Sequence, residues 1–206
     1  MRTAKTVLTV IQERGKQKKP IERVYKLLFN RELYLNAYAK LYPNNGAMTK
    51  GVTNETVDGM SIQKIDRMIE ILREEKYQWK PARREYIKKK NGKKRPLGIP
   101  VWGDKVLQEV MRQILEAYYE PQFSEHSHGF RPNRGCHTAL QEIQVWKGTR
   151  WFIEGDISQY FDTIDHKILL EILARNIHDG RFIRLVSNML EAGYLEEWKF
   201  NQTISG

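Results

Sequence analysis

One aspartate, Asp156, lies among apolar and aromatic residues. In such surroundings its negative charge needs a compensating positive charge. Residues 151–157 combine Trp, Phe and Ile in a short run that is typical of a β-strand. An ionised carboxylate in a buried strand is unfavourable unless another charge compensates it, and a metal cation is one such charge. The sequence therefore predicts a strand at residues 151–157 and a candidate metal-binding carboxylate at Asp156.

A second group of residues with a chemical role lies between residues 83 and 99. Two basic runs flank Asn91-Gly92, a dipeptide typical of a type I′ turn, so a basic β-hairpin is predicted. Arg95 can bind phosphate oxygens through two parallel hydrogen bonds, and Lys89 offers a point charge from the other strand. The alternative cations for this role are Lys88, Lys93 and Lys94. The same charges would also suit a nucleic-acid backbone, without any part in chemistry.

The positive charge is concentrated in two segments. The chain has a net charge of +10, residues 1–26 carry eight Lys or Arg against two Glu, and residues 80–95 carry nine against one. The remaining residues are slightly acidic in sum. Two local basic surfaces favour a long polyanion as partner, and the alternative is a solvated basic face or a tail.

The elements that position these residues are predicted to be mostly helical. Helical spacing or capping occurs at residues 21–42, after Ser61, from Asp104 as N-cap to residue 118, at 138–147, at 166–177 after Asp165, and at 181–190. Residues 44–59 are rich in Gly, Asn and Thr, so an ordered surface loop is expected there. Together with the hairpin and the strand, these helices indicate an α+β fold.

Composition excludes several classes of protein. The single cysteine, Cys136, excludes an internal disulfide and a Cys-rich zinc site, and it fits a reducing, cytoplasmic compartment. His128 and His137 beside Cys136 make a zinc site conceivable, but the chain has no second Cys/His pair, so the sequence argues against it. We expect no membrane span and no secretory signal, because no apolar run is long enough.

Residues 152–166 carry a resemblance to a known family. They read Phe-Ile-Glu-Gly-Asp-Ile-Ser-Gln-Tyr-Phe-Asp-Thr-Ile-Asp-His and resemble the first catalytic motif of group II intron-type reverse transcriptases. The resemblance implies that Asp156 and the main chain of Ile157 bind the Mg²⁺ ions of a two-metal site. It also implies that Phe161 lies under the sugar of the incoming nucleotide and excludes a 2′ hydroxyl. Asp162 and Asp165 are interpreted as turn and helix-cap residues.

Three further segments resemble blocks of the same family. Residues 87–100 are similar to its fingers hairpin, which implies that Lys89 and Arg95 grip the triphosphate. Residues 128–137 are similar to a loop that helps to bind the template, which implies that Arg131 and Arg134 face phosphate. Residues 45–59 are similar to a template-covering loop, although Thr53 replaces an Asp often found there. The basic residues before this loop correspond to an N-terminal extension that binds template and intron RNA.

The resemblance implies an architecture and a function. It implies right-hand polymerase fingers, made of helices and the basic hairpin, and the first part of a palm that resembles an RNA-recognition domain. Residues 1–100 would form the N-terminal extension and fingers, and residues 101–206 the first part of the palm with a return to the fingers. The implied function is an RNA-directed DNA polymerase and splicing maturase with RNA template, intron RNA, DNA primer and deoxynucleotides as partners. The alternatives are a non-enzymatic splicing factor derived from such an enzyme, or another bacterial retroelement reverse transcriptase.

The family's remaining catalytic carboxylates come from a Tyr-x-Asp-Asp hairpin, and these 206 residues contain no Asp-Asp pair. Asp156 alone holds Mg²⁺ too weakly for catalysis, since each ion needs several placed oxygens. We therefore expect this chain by itself to bind RNA without polymerising DNA. An incomplete palm sheet would leave an exposed edge, which predicts a tendency to self-associate.

Overall fold

The helices and strands combine into a mixed fold. The computed structural model describes residues 2–88, 92 and 94–203. Its α-helices are α1 (Ala4–Lys16), α2 (Arg31–Leu41), α3 (Ile62–Arg73), α4 (Trp102–Tyr119), α5 (Cys136–Gln144), α6 (His166–Ala174) and α7 (Gly180–Leu190). Its strands are β1 (Ile21–Glu22), β2 (Ala82–Lys88), β3 (Lys94–Ile99), β4 (Ile177–His178), β5 (Tyr194–Glu196) and β6 (Lys199–Asn201). Short 3₁₀ turns occur at Val24–Phe29, Val57–Gly59, Glu120–Gln122 and Tyr160–Thr163. The predicted α+β class is confirmed, because the chain combines helices with small sheets.

Helix α4 lies at the centre of the core. Its apolar residues recur at helical spacing, and the predicted face is buried at Val106, Leu107, Val110, Met111, Ile114 and Tyr118. Helices α1 and α2 pack against it. Burial of each large aliphatic side chain contributes about 1.5 to 3 kcal/mol, so this face is a principal source of stability.

An ion pair joins α2 to α4 inside the fold. Glu109 is buried, accepts two hydrogen bonds from the Arg112 guanidinium, and has its Oε1 atom 3.2 Å from the Nζ atom of Lys40. Burial raises the pKa of Glu109, but Arg112 and Lys40 outweigh burial, and the pKa lies below its ordinary value. Glu109 therefore stays ionised at neutral pH and holds the two helices in register.

Helix α1 crosses α4 at very short range. A Cβ atom built on Gly15 would lie 2.1 Å from the carbonyl oxygen of Tyr118, closer than any side chain could approach. The Tyr118 hydroxyl donates to the carbonyl of Lys19 at 3.0 Å, just beyond the end of α1. Glycine at position 15 is thus the condition for this backbone-to-backbone contact.

The predicted helix or helical pair at residues 21–42 is a pair. A 3₁₀ turn at Val24–Phe29 precedes α2, and Asn30 separates them as the N-cap, its side chain accepting from Glu32 N at 3.0 Å. The main-chain N–H of Tyr25 donates to the buried Asp179 carboxylate at 2.9 Å, immediately before α7. Early and late parts of the chain are therefore joined in one core, where β1 also pairs with β4 in parallel.

The predicted hairpin is present and extends into a larger sheet. Strands β2 and β3 are antiparallel, β5 and β6 form a second antiparallel pair, and the order is β3-β2-β5-β6. Residues Glu197 and Trp198, which join β5 to β6, have φ of 49° and 66°, as a type I′ turn requires. The turn between β2 and β3 contains Asn91, which lies outside the described residues. The predicted binding residues Lys89 and Lys93 also lie outside them.

The predicted strand at residues 151–157 is wrong for this structure. The segment is irregular, and Trp151, Phe152, Ile153 and Ile157 are exposed, as is Asp156. A strand needs a hydrogen-bonded neighbour, and among the described residues the two sheets offer this segment no pairing. Because the carboxylate is exposed rather than buried, burial does not explain why an Asp stands here.

The ends of several helices differ from the predictions. Helix α4 begins at Trp102 with Val101 as N-cap, so Asp104 lies in its first turn rather than at the cap. Helix α5 begins at Cys136, two residues before its predicted start. Helix α6 is capped by Asp165 as predicted, but it ends at Ala174 because the chain then pairs as β4.

The contact of Gly15 with Tyr118 predicts a specific destabilisation. Gly15→Ala should lower the free energy of unfolding by about 2 kcal/mol or more, because the added methyl group forces α1 away from α4. The measurement is urea denaturation followed by circular dichroism. Gly46→Ala is the control, since its added Cβ meets nothing within 4 Å and should change stability by less than about 0.5 kcal/mol. Equal stability of the two variants would contradict the close crossing.

Candidate functional site

A buried carboxylate fixes the base of the basic hairpin. Asp104 is 3% exposed, and it accepts hydrogen bonds from the Tyr77 hydroxyl at 2.6 Å and from the Lys80 main-chain N–H at 2.9 Å. Burial raises the pKa of Asp104, and the two hydrogen bonds oppose that rise. Because β2 begins two residues after Lys80, these bonds attach the hairpin to the first turn of α4.

Residues 44–59 form the ordered loop that the sequence predicts, and they contact the hairpin. Ala47 and Val57 are buried, and the Arg83 guanidinium donates to the Lys50 carbonyl at 3.1 and 2.9 Å. A Cβ atom on Gly51 would lie 2.8 Å from the carbonyl oxygen of Pro100, so the loop and the end of β3 touch through their backbones. The two segments are therefore held together as one surface.

The strand register decides which hairpin cations share a face. Arg95 pairs with Ile87, whereas Lys88 pairs with Lys94. Side chains alternate between the two faces of a strand, so Arg95 points to one face and the Lys88–Lys94 pair to the other. The register thus separates Lys88 and Lys94 from Arg95, and the prediction that Lys88, Lys93 or Lys94 can substitute for Lys89 and Arg95 at a triphosphate stays a prediction.

The catalytic-motif residues lie in exposed, mostly irregular backbone between α5 and α6. Asp156 and Ile157 belong to the exposed irregular segment, and Phe161 lies in the 3₁₀ turn Tyr160–Thr163 with two thirds of its surface exposed. The Phe161 ring meets the Tyr160 ring edge to face, with centroids 5.4 Å apart. Among the described residues no hydrogen bond or ion pair joins Asp156 to Arg95. Their predicted roles stay predictions.

The two arginines predicted to face phosphate are bonded within the protein. The Arg131 side chain is 8% exposed and is paired with the Glu120 carboxylate at 2.9 Å. Its guanidinium also donates to the carbonyls of Ser124 and Ser127, and Arg134 donates to the carbonyl of Glu125. In this arrangement both guanidinium groups shape the loop before α5. Whether they also bind phosphate stays a prediction.

The same loop presents an aromatic side chain to solvent. Phe130 is fully exposed, and its φ of 57° lies in the left-handed region that large residues rarely adopt. It precedes Arg131, whose bonds to Glu120 and the loop carbonyls hold the backbone in place. Phe130 was not among the predicted site residues, and no sequence pattern marks its exposure.

Two histidines share one carboxylate beside this loop. The His128 ring nitrogens lie 2.8 Å from the Thr138 hydroxyl and 2.8 Å from Glu142, and His126 contacts the other oxygen of Glu142. Hydrogen bonds from His128 and then His126 lower the pKa of Glu142. These contacts tie the loop to α5. Within the described part of the chain, no three His, Cys, Asp or Glu side chains form a group that could hold a metal ion.

The residues present fit Mg²⁺ in kind but not in number. Asp156 and the Ile157 carbonyl supply the hard oxygens that Mg²⁺ prefers. One carboxylate and one carbonyl supply only part of an octahedral shell, and the described residues contain no group of three or more His, Cys, Asp or Glu side chains that could complete one. Any ion here needs further ligands, such as water and substrate phosphates.

Comparison with known families gives a match over more than half of the chain. The family described as reverse transcriptase (RNA-dependent DNA polymerase) matches residues 87–204. The matched region contains the strand with Arg95 and the segment from Asp156 to Phe161. In the described residues no helix combines the length and the apolar character that crossing a bilayer requires.

Similar curated proteins are associated with introns. The group II intron-encoded protein LtrA of Lactococcus lactis is 49% identical over 186 residues, which cover 89% of this chain and 31% of LtrA. An uncharacterised 91 kDa protein in the cob intron of Schizosaccharomyces pombe is 46% identical, covering 98% of this chain and 26% of that protein. The mitochondrial nuclear intron maturase 1 of Arabidopsis thaliana is 36% identical over 45% of this chain and 13% of its own length. The chain thus spans about a third or less of these relatives.

The hydrogen bonds of Asp104 predict that this buried carboxylate stabilises the base of the hairpin. Asp104→Ala should lower the free energy of unfolding by about 2 kcal/mol or more, since the Tyr77 hydroxyl and the Lys80 N–H lose their acceptor. Urea denaturation measures this. Asp66→Ala is the matched control, because Asp66 pairs with Arg31 at the surface and should contribute less than about 1 kcal/mol. A smaller loss for Asp104 than for Asp66 would overturn the assignment.

Proposed function

This chain belongs to the reverse transcriptase (RNA-dependent DNA polymerase) family, in its group II intron-type branch, and we propose that the protein copies RNA into DNA and binds its intron RNA as a splicing maturase. One observation carries the proposal: the 87–204 match contains the basic hairpin strand and the Asp156-to-Phe161 motif together. A protein that only bound RNA would need the hairpin but not the motif. The proposed partners are RNA template, intron RNA, DNA primer and deoxynucleotides.

We propose that the described elements form the fingers and the beginning of the palm. The helices before the hairpin, the hairpin itself and the loop at residues 44–59 would be the fingers. Residues 151–157 would begin the palm and would become a strand on pairing with further strands. The predicted division into residues 1–100 and 101–206 stays a prediction, and α1 packs on α4 across that division.

In this proposal Asp156 and the carbonyl of Ile157 hold Mg²⁺. The ions would activate the primer 3′ hydroxyl and bind the triphosphate of the incoming nucleotide. The chain's own contribution is to carry both ligand groups on consecutive residues, Asp156 and Ile157. Octahedral coordination of two ions requires more oxygens than these two, and the sequence contains no Asp-Asp pair.

Arg95 and Phe161 have complementary proposed roles toward the nucleotide. Arg95 is exposed on β3, where its planar guanidinium is free to form two hydrogen bonds with phosphate oxygens. Phe161 is exposed in a turn that follows Asp156 by five residues, and the resemblance to the family's motif implies that its ring contacts the sugar. A flat ring at the 2′ position favours a deoxyribose by shape.

A cytoplasmic location and self-association also remain predictions.

The role of Asp156 predicts a selective loss of synthesis. In the longest form of the protein that its gene encodes, Asp156→Ala should reduce primer extension by about a thousandfold or more, because the two-metal site loses its shared carboxylate. RNA binding, measured in parallel by filter retention, should not change. Glu154→Ala, an exposed carboxylate two residues away, is the control and should retain activity.

The outcomes separate the proposed enzyme from its alternative. Unchanged extension by the Asp156 variant would contradict the catalytic role. Absence of extension by the unaltered protein, with splicing of intron RNA retained, would favour the non-enzymatic splicing factor. The 206-residue chain alone is expected to bind RNA and not to extend a primer.

The position of Phe161 predicts control of sugar selection. Phe161→Ala should raise the ratio of ribonucleotide to deoxyribonucleotide incorporation by about tenfold or more, since the space for a 2′ hydroxyl opens. Single-nucleotide incorporation kinetics measure kcat/KM for each nucleotide. Phe161→Tyr keeps a ring of similar width and should preserve selection. Equal ratios for the alanine and tyrosine variants would remove Phe161 from this role.

A further inference from the structure

The four-stranded sheet has two chemically different faces. The register of β2 with β3, β5 and β6 assigns each residue to one of them, because Cα partners share a face and neighbours along a strand alternate. The first face, here called the tyrosine face, contains Arg84, Tyr86, Lys88, Lys94, Pro96, Tyr194, Glu196 and Lys199. The opposite face contains Arg83, Glu85, Ile87, Arg95, Leu97, Leu195 and Phe200.

Two side-chain contacts confirm the composition of the tyrosine face. The guanidinium carbon of Arg84 lies 3.4 Å from the centre of the Tyr194 ring, which joins β2 to β5. The Tyr86 hydroxyl donates to the Glu196 carboxylate, which joins the same strands one step further along. Glu196 is the one acidic side chain that the described strands place here. The face therefore has an excess of positive charge around an aromatic residue.

Tyr86 lies between the basic side chains of the tyrosine face. Its side chain is 47% exposed, with the Lys88–Lys94 pair toward the turn and Arg84 and Lys199 toward the base. Its partner across the strands is Pro96, and Arg84 faces Gly98, so the neighbouring strand adds only small groups beside the ring. Nearly half of Tyr86 is therefore accessible to a ligand on this face.

The opposite face has a different character. Ile87, Leu97 and Phe200 are exposed apolar residues there, and they accompany Arg95, the residue assigned to the nucleotide. A ligand held by Arg95 therefore cannot touch Tyr86 or the Lys88–Lys94 pair, because the sheet lies between them. The nucleotide site proposed at Arg95 therefore does not include the cations of the tyrosine face.

We propose that the tyrosine face binds single-stranded RNA, with a base stacked on Tyr86 and the flanking phosphates paired with Lys88, Lys94 and Lys199. An exposed ring surrounded by cations on a sheet matches the chemistry of single-stranded nucleic acid, which offers unpaired base faces and a regular row of phosphates. A duplex keeps its base faces stacked, so it could use only the cations. The proposal rests on the proposed function for the identity of the polyanion, and it adds a second surface on the far side of the hairpin.

The aromatic contact is tested by fluorescence anisotropy with the 206-residue chain and an unstructured, labelled RNA oligonucleotide. Tyr86→Ala should weaken binding by about tenfold, the usual effect of removing one stacking ring. Tyr86→Phe keeps the ring and should bind like the unaltered chain. Ile87→Ala truncates the adjacent exposed residue on the opposite face and should change the affinity by less than about twofold. A phenylalanine variant as weak as the alanine variant would overturn stacking as the cause.

The charges are tested by the salt dependence of the same binding. The double variant Lys88→Gln/Lys94→Gln should reduce the slope of log affinity against log salt by about 1.4, since each phosphate contact to a single strand contributes about 0.7. Tyr86→Ala should leave the slope unchanged. The control Lys64→Gln/Lys76→Gln removes equal charge from lysines that are ion-paired with Glu55 and Glu74, and it should retain the full slope.

The outcomes distinguish failure of this surface from failure of the proposed function. If the unaltered chain binds no RNA, the proposed RNA-binding function and the surface both fail. If it binds RNA and the Tyr86 and lysine variants bind equally well, only the surface fails. Equal weakening by Tyr86→Ala toward duplex RNA of the same sequence would overturn the preference for single strands.

Discussion

Burial of α4 is the constraint on which the other positions depend. Its apolar face receives α1 and α2, Glu109 pairs with Lys40 of α2, and Tyr118 lies under Gly15 of α1. At its other end, Asp104 holds the segment that leads into the hairpin. The binding surface of the hairpin is thus attached to the centre of the core by two hydrogen bonds, and its orientation follows from helix packing. Exposed cations acquire defined positions in this way without being buried themselves.

Local signals in the sequence predicted the elements that are stabilised locally. Helical spacing predicted α3, α4, α6 and α7, and Asn91-Gly92 predicted the hairpin, because these depend on residues close in the chain. The strand at residues 151–157 was wrong because strand formation requires a distant partner, which a local pattern of Trp, Phe and Ile cannot supply. The pairing of Arg131 with Glu120 and the position of Asp104 in the first turn likewise depend on contacts that spacing does not encode.

The sequence also predicted one part of the candidate site and could not predict another. The resemblance of residues 152–166 indicated Asp156 and Phe161, and the family match supports the same enzyme class. The sequence also indicated a cluster of hairpin cations, but it treated them as equivalent. Only the register, with Arg95 opposite Ile87 and Lys88 opposite Lys94, separates them by face. Simple alternation along β2 from Lys88 would have drawn attention to Tyr86, had the strand boundaries been known.

The long-range contacts of the first helices affect the order in which the chain can fold during synthesis. Helix α1 meets α4 about a hundred residues later, and Tyr25 receives its acceptor, Asp179, 154 residues later. At the usual rate of about 5 to 20 residues per second, the basic first helix leaves the ribosome several seconds before its partner exists. During that interval it is a short segment with three Lys or Arg residues and one Glu, beside ribosomal and messenger RNA. The core around α4 can therefore close only after most of these 206 residues have been synthesised.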